Sequence, residues 1–133
     1  MKLLVVLAIV LAAVVLISQF RGGRAVATSA RTPDGEVIEQ LRSAGSDLSR
    51  PHNIEFFLYF PTEVSATRIA SQLSQAGYKT VVGPGKGTPQ YLVLATRSML
   101  PAEAELVHIR QEFDALATKE GGQYDGWGTP IVR

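Results

Sequence analysis

Cysteine is absent from all 133 residues. That excludes a disulfide framework, a thiol nucleophile and any cysteine-held metal. Histidine is limited to His52 and His108, and tryptophan to Trp127. Acids are missing from residues 1–32, which hold Lys2, Arg21, Arg24 and Arg31 for a balance of +4. The remaining residues, 33–133, reverse the sign: nine Lys/Arg against twelve Asp/Glu give −3. A mildly acidic domain repels phosphate backbones and favours basic partners.

Charged and polar side chains are also missing from Leu3 to Ile17. Extended through Phe20, this 18-residue segment is about 27 Å long as a helix, at the short end for a bilayer core of about 30 Å. Two readings compete. Ala25-Val26-Ala27 resembles a signal-peptidase site and Lys2 supplies a small basic n-region. The apolar run is longer than a usual signal core, however, and Arg21 and Arg24 lie between it and the cleavage site. Length and flanks therefore favour an uncleaved single-pass anchor over residues 1–20, followed by a Gly/Ala/Ser/Thr/Arg tether over 21–32. The excess of arginine after the segment points the following domain, residues 33–133, toward the cytoplasm.

The most informative run is Gly121-Gly122-Gln123-Tyr124-Asp125-Gly126-Trp127-Gly128. Its first glycines follow a long amphipathic stretch, where a helix needs a left-handed stop. The rest alternates bulky and small residues, as a last strand interrupted by a bulge does. It holds no nucleophile, histidine or metal-ligand cluster, so a binding surface is expected in preference to catalysis.

Upstream, Asp34–Ala44 reads as a short helix: Thr32-Pro33 opens it, acids fill its first turn and Gly45 follows. Residues 54–60 alternate cleanly as a strand, with Ile54, Phe56, Leu58 and Phe60 on one face and Glu55, Phe57 and Tyr59 on the other. A helix aligning Ala66, Ile69, Ala70, Leu73 and Ala76 ends at Gly77. Strands at 78–82 and 90–96 flank a Gly/Pro hairpin over 83–89. That hairpin has the residue types of a phosphate loop but the wrong spacing, and it joins two strands instead of a strand and a helix. A second long helix aligns Leu106, Ile109, Phe113, Leu116 and Ala117, and 123–132 closes the chain as a strand. The order β-α-β-β-α-β predicts an α+β, ferredoxin-like antiparallel sheet with its helices on one face and the other face open.

Gly45-Ser46-Asp47-Leu48-Ser49-Arg50-Pro51, the strand Ile54-Glu55-Phe56-Phe57-Leu58-Tyr59-Phe60 and the closing Gly-Gly-Gln-Tyr-Asp-Gly-Trp-Gly run together resemble the bacterial regulators of ribonuclease E activity B. The resemblance covers roughly residues 33–133. It implies a ferredoxin-like domain without catalysis of its own, which binds the endoribonuclease and restrains RNA decay. Unlike the soluble regulator, this chain begins with an apolar segment, which implies a membrane-tethered version.

Expected partner-binding residues are Phe57 and Tyr59 on the open face, Glu105 and Glu112 on the acidic second long helix, and Tyr124, Asp125 and Trp127 in the closing run, where Trp127 could equally fill the core edge with Asp125 capping the bulge. The open face is expected to be covered partly by the Asp34–Ala44 helix and partly by a protein. A basic partner segment would meet the acidic helix and the Tyr124–Trp127 edge. An alternative use of Phe57 and Tyr59 is stacking of single-stranded RNA, but the strand at 90–96 lacks the basic and aromatic residues of such platforms. His52 and Glu55 could form an acid–base pair, yet no third residue supports one, and His52 reads as an ordinary loop residue. No cofactor, metal or catalytic residue is expected.

Overall fold

The computed structural model describes residues 32–133. The expected anchor over 1–20 and most of the tether lie outside the described residues. Among the described residues no helix is long and apolar enough to cross a membrane.

Seven elements follow in the order α1 (Pro33–Ser43), β1 (His52–Phe60), α2 (Glu63–Gln75), β2 (Lys79–Pro84), β3 (Tyr91–Met99), α3 (Glu103–Lys119) and β4 (Gln123–Gly128). The sheet is antiparallel with strand order β2-β3-β1-β4. The fold is thus α+β, as expected. It departs from the bare six-element plan in carrying an added first helix and a bulged last strand.

Each helix starts and stops for local reasons. Thr32 caps α1 by accepting from the Gly35 N–H at 3.0 Å, and Thr62 caps α2 from the Ser65 N–H at 3.1 Å. All three described helices stop at a glycine with positive φ: Gly45, Gly77 and Gly121. At each stop the next N–H reaches back five residues: Ser46 to Leu41, Tyr78 to Leu73 and Gly122 to Ala117. This is the Schellman closure, which satisfies carbonyls the helix would leave bare.

The core lies between the sheet and the three helices. Ile54, Phe56, Leu58 and Phe60 of β1 are fully buried there, with Val93 and Ala95 of β3, Ile69 of α2 and Leu106 and Phe113 of α3. Phe56, Tyr78, Phe113 and Tyr124 pack edge to face, with centroids 5.3–5.8 Å apart. Helix α1 adds Ile38 and Leu41 to the same core and packs against α3. It therefore does not cover Phe57 and Tyr59, contrary to expectation; its buried stripe is spent on the opposite side of the sheet.

β4 ends at Gly128, four residues before the expected Val132. Pro130 has no N–H to extend the ladder. Thr129 instead donates to the Asn53 carbonyl at 3.1 Å, and the Val132 N–H donates to Ser46 Oγ at 3.0 Å. The chain end is thereby drawn onto the loop between α1 and β1.

Candidate functional site

Two clusters, one on each side of the sheet, hold the residues singled out in the sequence except Glu105 and Glu112. Register decides which side each takes, because directly opposed residues of an antiparallel pair share a face.

Inside, Tyr124 opposes Leu58 and Trp127 opposes Phe56, so both rings point to the core. Trp127 is 4% exposed, and Tyr124 packs its ring on Phe113. The expected Tyr124–Trp127 contact edge is thus internal: the alternation that joins them to the sheet also turns them inward. Trp127 Nε1 donates to Oδ1 of buried Asp34 at 3.1 Å, and Arg110 Nε lies 2.9 Å from Oδ2. The Arg110 contact is an ion pair whose N–H is not aligned on the oxygen. Burial raises the Asp34 pKa, outweighing Arg110 and the Trp127 hydrogen bond. The buried Tyr124 hydroxyl has no hydrogen-bond partner among the described residues, and desolvation, with the nearby Asp34 and Asp114 charges, raises its pKa strongly.

Outside, Glu55, Phe57 and Tyr59 face away from the helices. Opposite them on β3 stand Thr96, Leu94 and Leu92, and beyond these on β2 stand Lys79, Val81 and Gly83. On β4 the register slips between Tyr124 and Trp127, so Asp125 and Gly126 both lie opposite Phe57. Gly126 takes φ +98° there, and Asp125 is aimed to the outer face. Phe57 is only 4% exposed although it is outside the main core cluster. Tyr59, Leu92 and Leu94 are half-buried, and Val81 is 58% exposed. Desolvation raises the pKa of Glu55 and of Asp125, and desolvation with the Asp125 charge raises that of Tyr59.

Glu105 and Glu112 are exposed on α3, remote from the outer face. Glu112 pairs with His108 at 2.9 Å. The structure therefore separates the expected site residues into three places: Phe57, Tyr59 and Asp125 outside the sheet, Tyr124 and Trp127 within the core, Glu105 and Glu112 on the helix surface.

His52 is not a loop residue as expected. It opens β1, is 1% exposed, donates from Nδ1 to the Arg50 carbonyl at 2.8 Å and accepts at Nε2 from Ser46 Oγ at 2.6 Å. It does not pair with Glu55, which faces the other side of the sheet. Alternation in 52–60 carries that signal, since His52 falls in phase with Ile54 and Phe56. Sequence reasoning also missed Leu92 and Leu94 as outer-face residues, although they alternate with the buried Val93 and Ala95, and it missed Val81, which joins the face by opposing Leu94. Asp34 and Arg110 left no such signal, because each looks like an ordinary charged helix residue.

An outer face with two carboxylates, one lysine, a buried phenylalanine and a single half-buried tyrosine gives little for nucleic-acid bases to stack on. It is suited to apolar and cationic groups of a protein. No curated protein matches the chain. The profile of the family described as "Regulator of ribonuclease activity B" matches residues 31–129, most of the chain, and the protein belongs to that RraB family.

Proposed function

We propose that the domain restrains RNA decay by docking on an endoribonuclease of the ribonuclease E type, by contact and occlusion and without chemistry of its own. The family match over residues 31–129 carries this reading. The β-α-β-β-α-β order with β1 and β3 at the centre of the sheet supports treating the domain as a ferredoxin-like scaffold that leaves one sheet face for partners. The tether belongs to the same proposal. An apolar run from Leu3 to Ile17 would hold the domain at the inner membrane, on the cytoplasmic side, where a weak interface gains from raised local concentration.

Two measurements test it. Full-length protein should co-purify with the endoribonuclease and lengthen the half-lives of its RNA substrates in cells. A reporter active only in the cytoplasm, fused to the C-terminus, should be active. A periplasmic domain could not meet a cytosolic nuclease, and that result would sink the proposal.

A further inference from the structure

The outer sheet face carries apolar residues on the side of the sheet away from the three described helices. Across the strands, Val81, Leu94 and Phe57 form one apolar row, because Val81 opposes Leu94 and Leu94 opposes Phe57. Tyr59 lies beside that row, two residues along β1. The β4 end of the row meets Asp125 at the bulge, and Glu55 lies two residues from Phe57 on the other side. Neither carboxylate has an ion-pair partner among the described residues. Lys79 shares the face but stands on β2, with β3 between it and β1. The face is thus polarised: aliphatic toward β2, acidic toward β1 and β4.

Resting on the protein-binding reading above, we infer that this face is the docking surface, and that its occupant is a protein segment carrying arginine or lysine beside aliphatic residues. The cations would lie over Glu55 and Asp125, and the aliphatic side chains over Leu94 and Val81. Charge complementarity selects this occupant. Partly desolvated carboxylates without partners gain from an arriving cation, whereas a phosphate backbone would be repelled. The aromatic ring of Tyr59 adds a flat contact for a guanidinium next to the acids. A bare face of this kind is otherwise an unfavourable arrangement, since acids on an apolar sheet cost solvation without return.

The test uses full-length protein and a short fluorescein-labelled peptide alternating arginine and valine, read by anisotropy at low and moderate salt. Glu55→Gln with Asp125→Asn should weaken binding about tenfold, the loss expected for two part-exposed charge pairs. Leu94→Ser should weaken it as well. Glu105→Gln with Glu112→Gln, on α3, should leave it within about twofold. Equal loss from the α3 pair, tighter binding of oligouridylate than of the peptide, or burial of the face in a self-associated dimer would each overturn the inference. Capture of the endoribonuclease is scored in parallel. If capture fails for every protein while the peptide shows the expected pattern, the surface stands and the ribonuclease reading falls. If capture is intact but indifferent to the sheet substitutions, the ribonuclease reading stands and the surface falls.

Discussion

Asp34 and Trp127, 93 positions apart, meet in a buried hydrogen bond that ties the first helix to the last strand. Asp34 Oδ1 accepts from the indole at 3.1 Å while Arg110 of α3 lies against Oδ2. One carboxylate therefore joins α1, α3 and β4. Asp34→Ala would strand Arg110 and the indole N–H together. Breaking a fully buried pair costs about 3–5 kcal/mol, and the 30% exposure of the Arg110 side chain lowers this to about 2–3 kcal/mol. Trp127→Phe keeps most of the packing and loses only the donor, for about 1–2 kcal/mol. Urea unfolding of the two variants would check the order; equal losses would mean that packing, not the carboxylate, holds α1.

The outline of this fold was open to sequence reasoning because its signals are local. Three helix stops are written as Gly45, Gly77 and Gly121, and β1 alternates in burial except at Phe57. The bulge too was legible, from glycine spacing in the closing run. What stayed hidden depends on contacts across the chain. Whether α1 covers the outer face or joins the inner core is decided by Asp34 meeting residues 93 and 76 positions away, which no local pattern encodes. Composition left Tyr124 and Trp127 open between core edge and surface anchor, and the residues they oppose, Leu58 and Phe56, turn both inward. On the outer face only the β1 residues and Asp125 were picked out, because the sheet order that brings Leu94 and Val81 beside them is a tertiary fact.

Stability should rise as pH falls from neutrality toward the ordinary carboxylate range. Asp34, Glu55 and Asp125 all have raised pKa values in the folded protein, so their charged forms oppose folding. Their contribution is fully present below the unfolded values and is lost as pH rises through the folded ones. Asp47 works the other way: hydrogen bonds from Ser49 lower its pKa, and its contribution is lost only under stronger acid. Denaturant midpoints should be higher in the ordinary carboxylate range than near neutrality. Glu55→Gln with Asp125→Asn should flatten that slope, and an unchanged slope would show that Asp34 alone carries it.

Gly122 is constrained by space instead of backbone angle. A Cβ there would sit 2.3 Å from the Tyr59 carbonyl oxygen and 2.6 Å from the Phe60 ring. The carbonyl is backbone in the central strand and cannot swing aside. Gly122→Ala should cost about 1–3 kcal/mol or more, as overpacking does. Gly121→Ala meets little but must hold φ +70°, for about 1 kcal/mol. Thermal melts of the pair should rank Gly122→Ala as the more damaging.

Ser46 links two groups, the His52 ring and the chain end at Val132. Its hydroxyl donates to His52 Nε2 at 2.6 Å and accepts from the Val132 N–H at 3.0 Å. Ser46→Ala leaves a buried imidazole nitrogen and a backbone donor without partners, costing about 2 kcal/mol. Amide exchange should locate the damage, with faster exchange at Val132 and little change at Phe56.

Phe57 and Tyr59, neighbours on the outer face, should separate cleanly into stability and binding. Phe57 is nearly inaccessible, so Phe57→Ala removes a buried ring and should destabilise the domain by about 3 kcal/mol. Tyr59 is half-buried and opposes Leu92 and Gln123, so its loss opens no enclosed cavity and should cost about 1 kcal/mol or less. A docked segment touches the surface, not the buried ring. Tyr59→Ala should therefore weaken partner capture several-fold in protein that melts almost normally. Phe57→Ala should lower the melting point yet retain capture in the folded fraction, measured well below that temperature. If Tyr59→Ala binds as the parent does and Phe57→Ala alone abolishes capture, the half-buried tyrosine is a structural filler and the partner lies elsewhere.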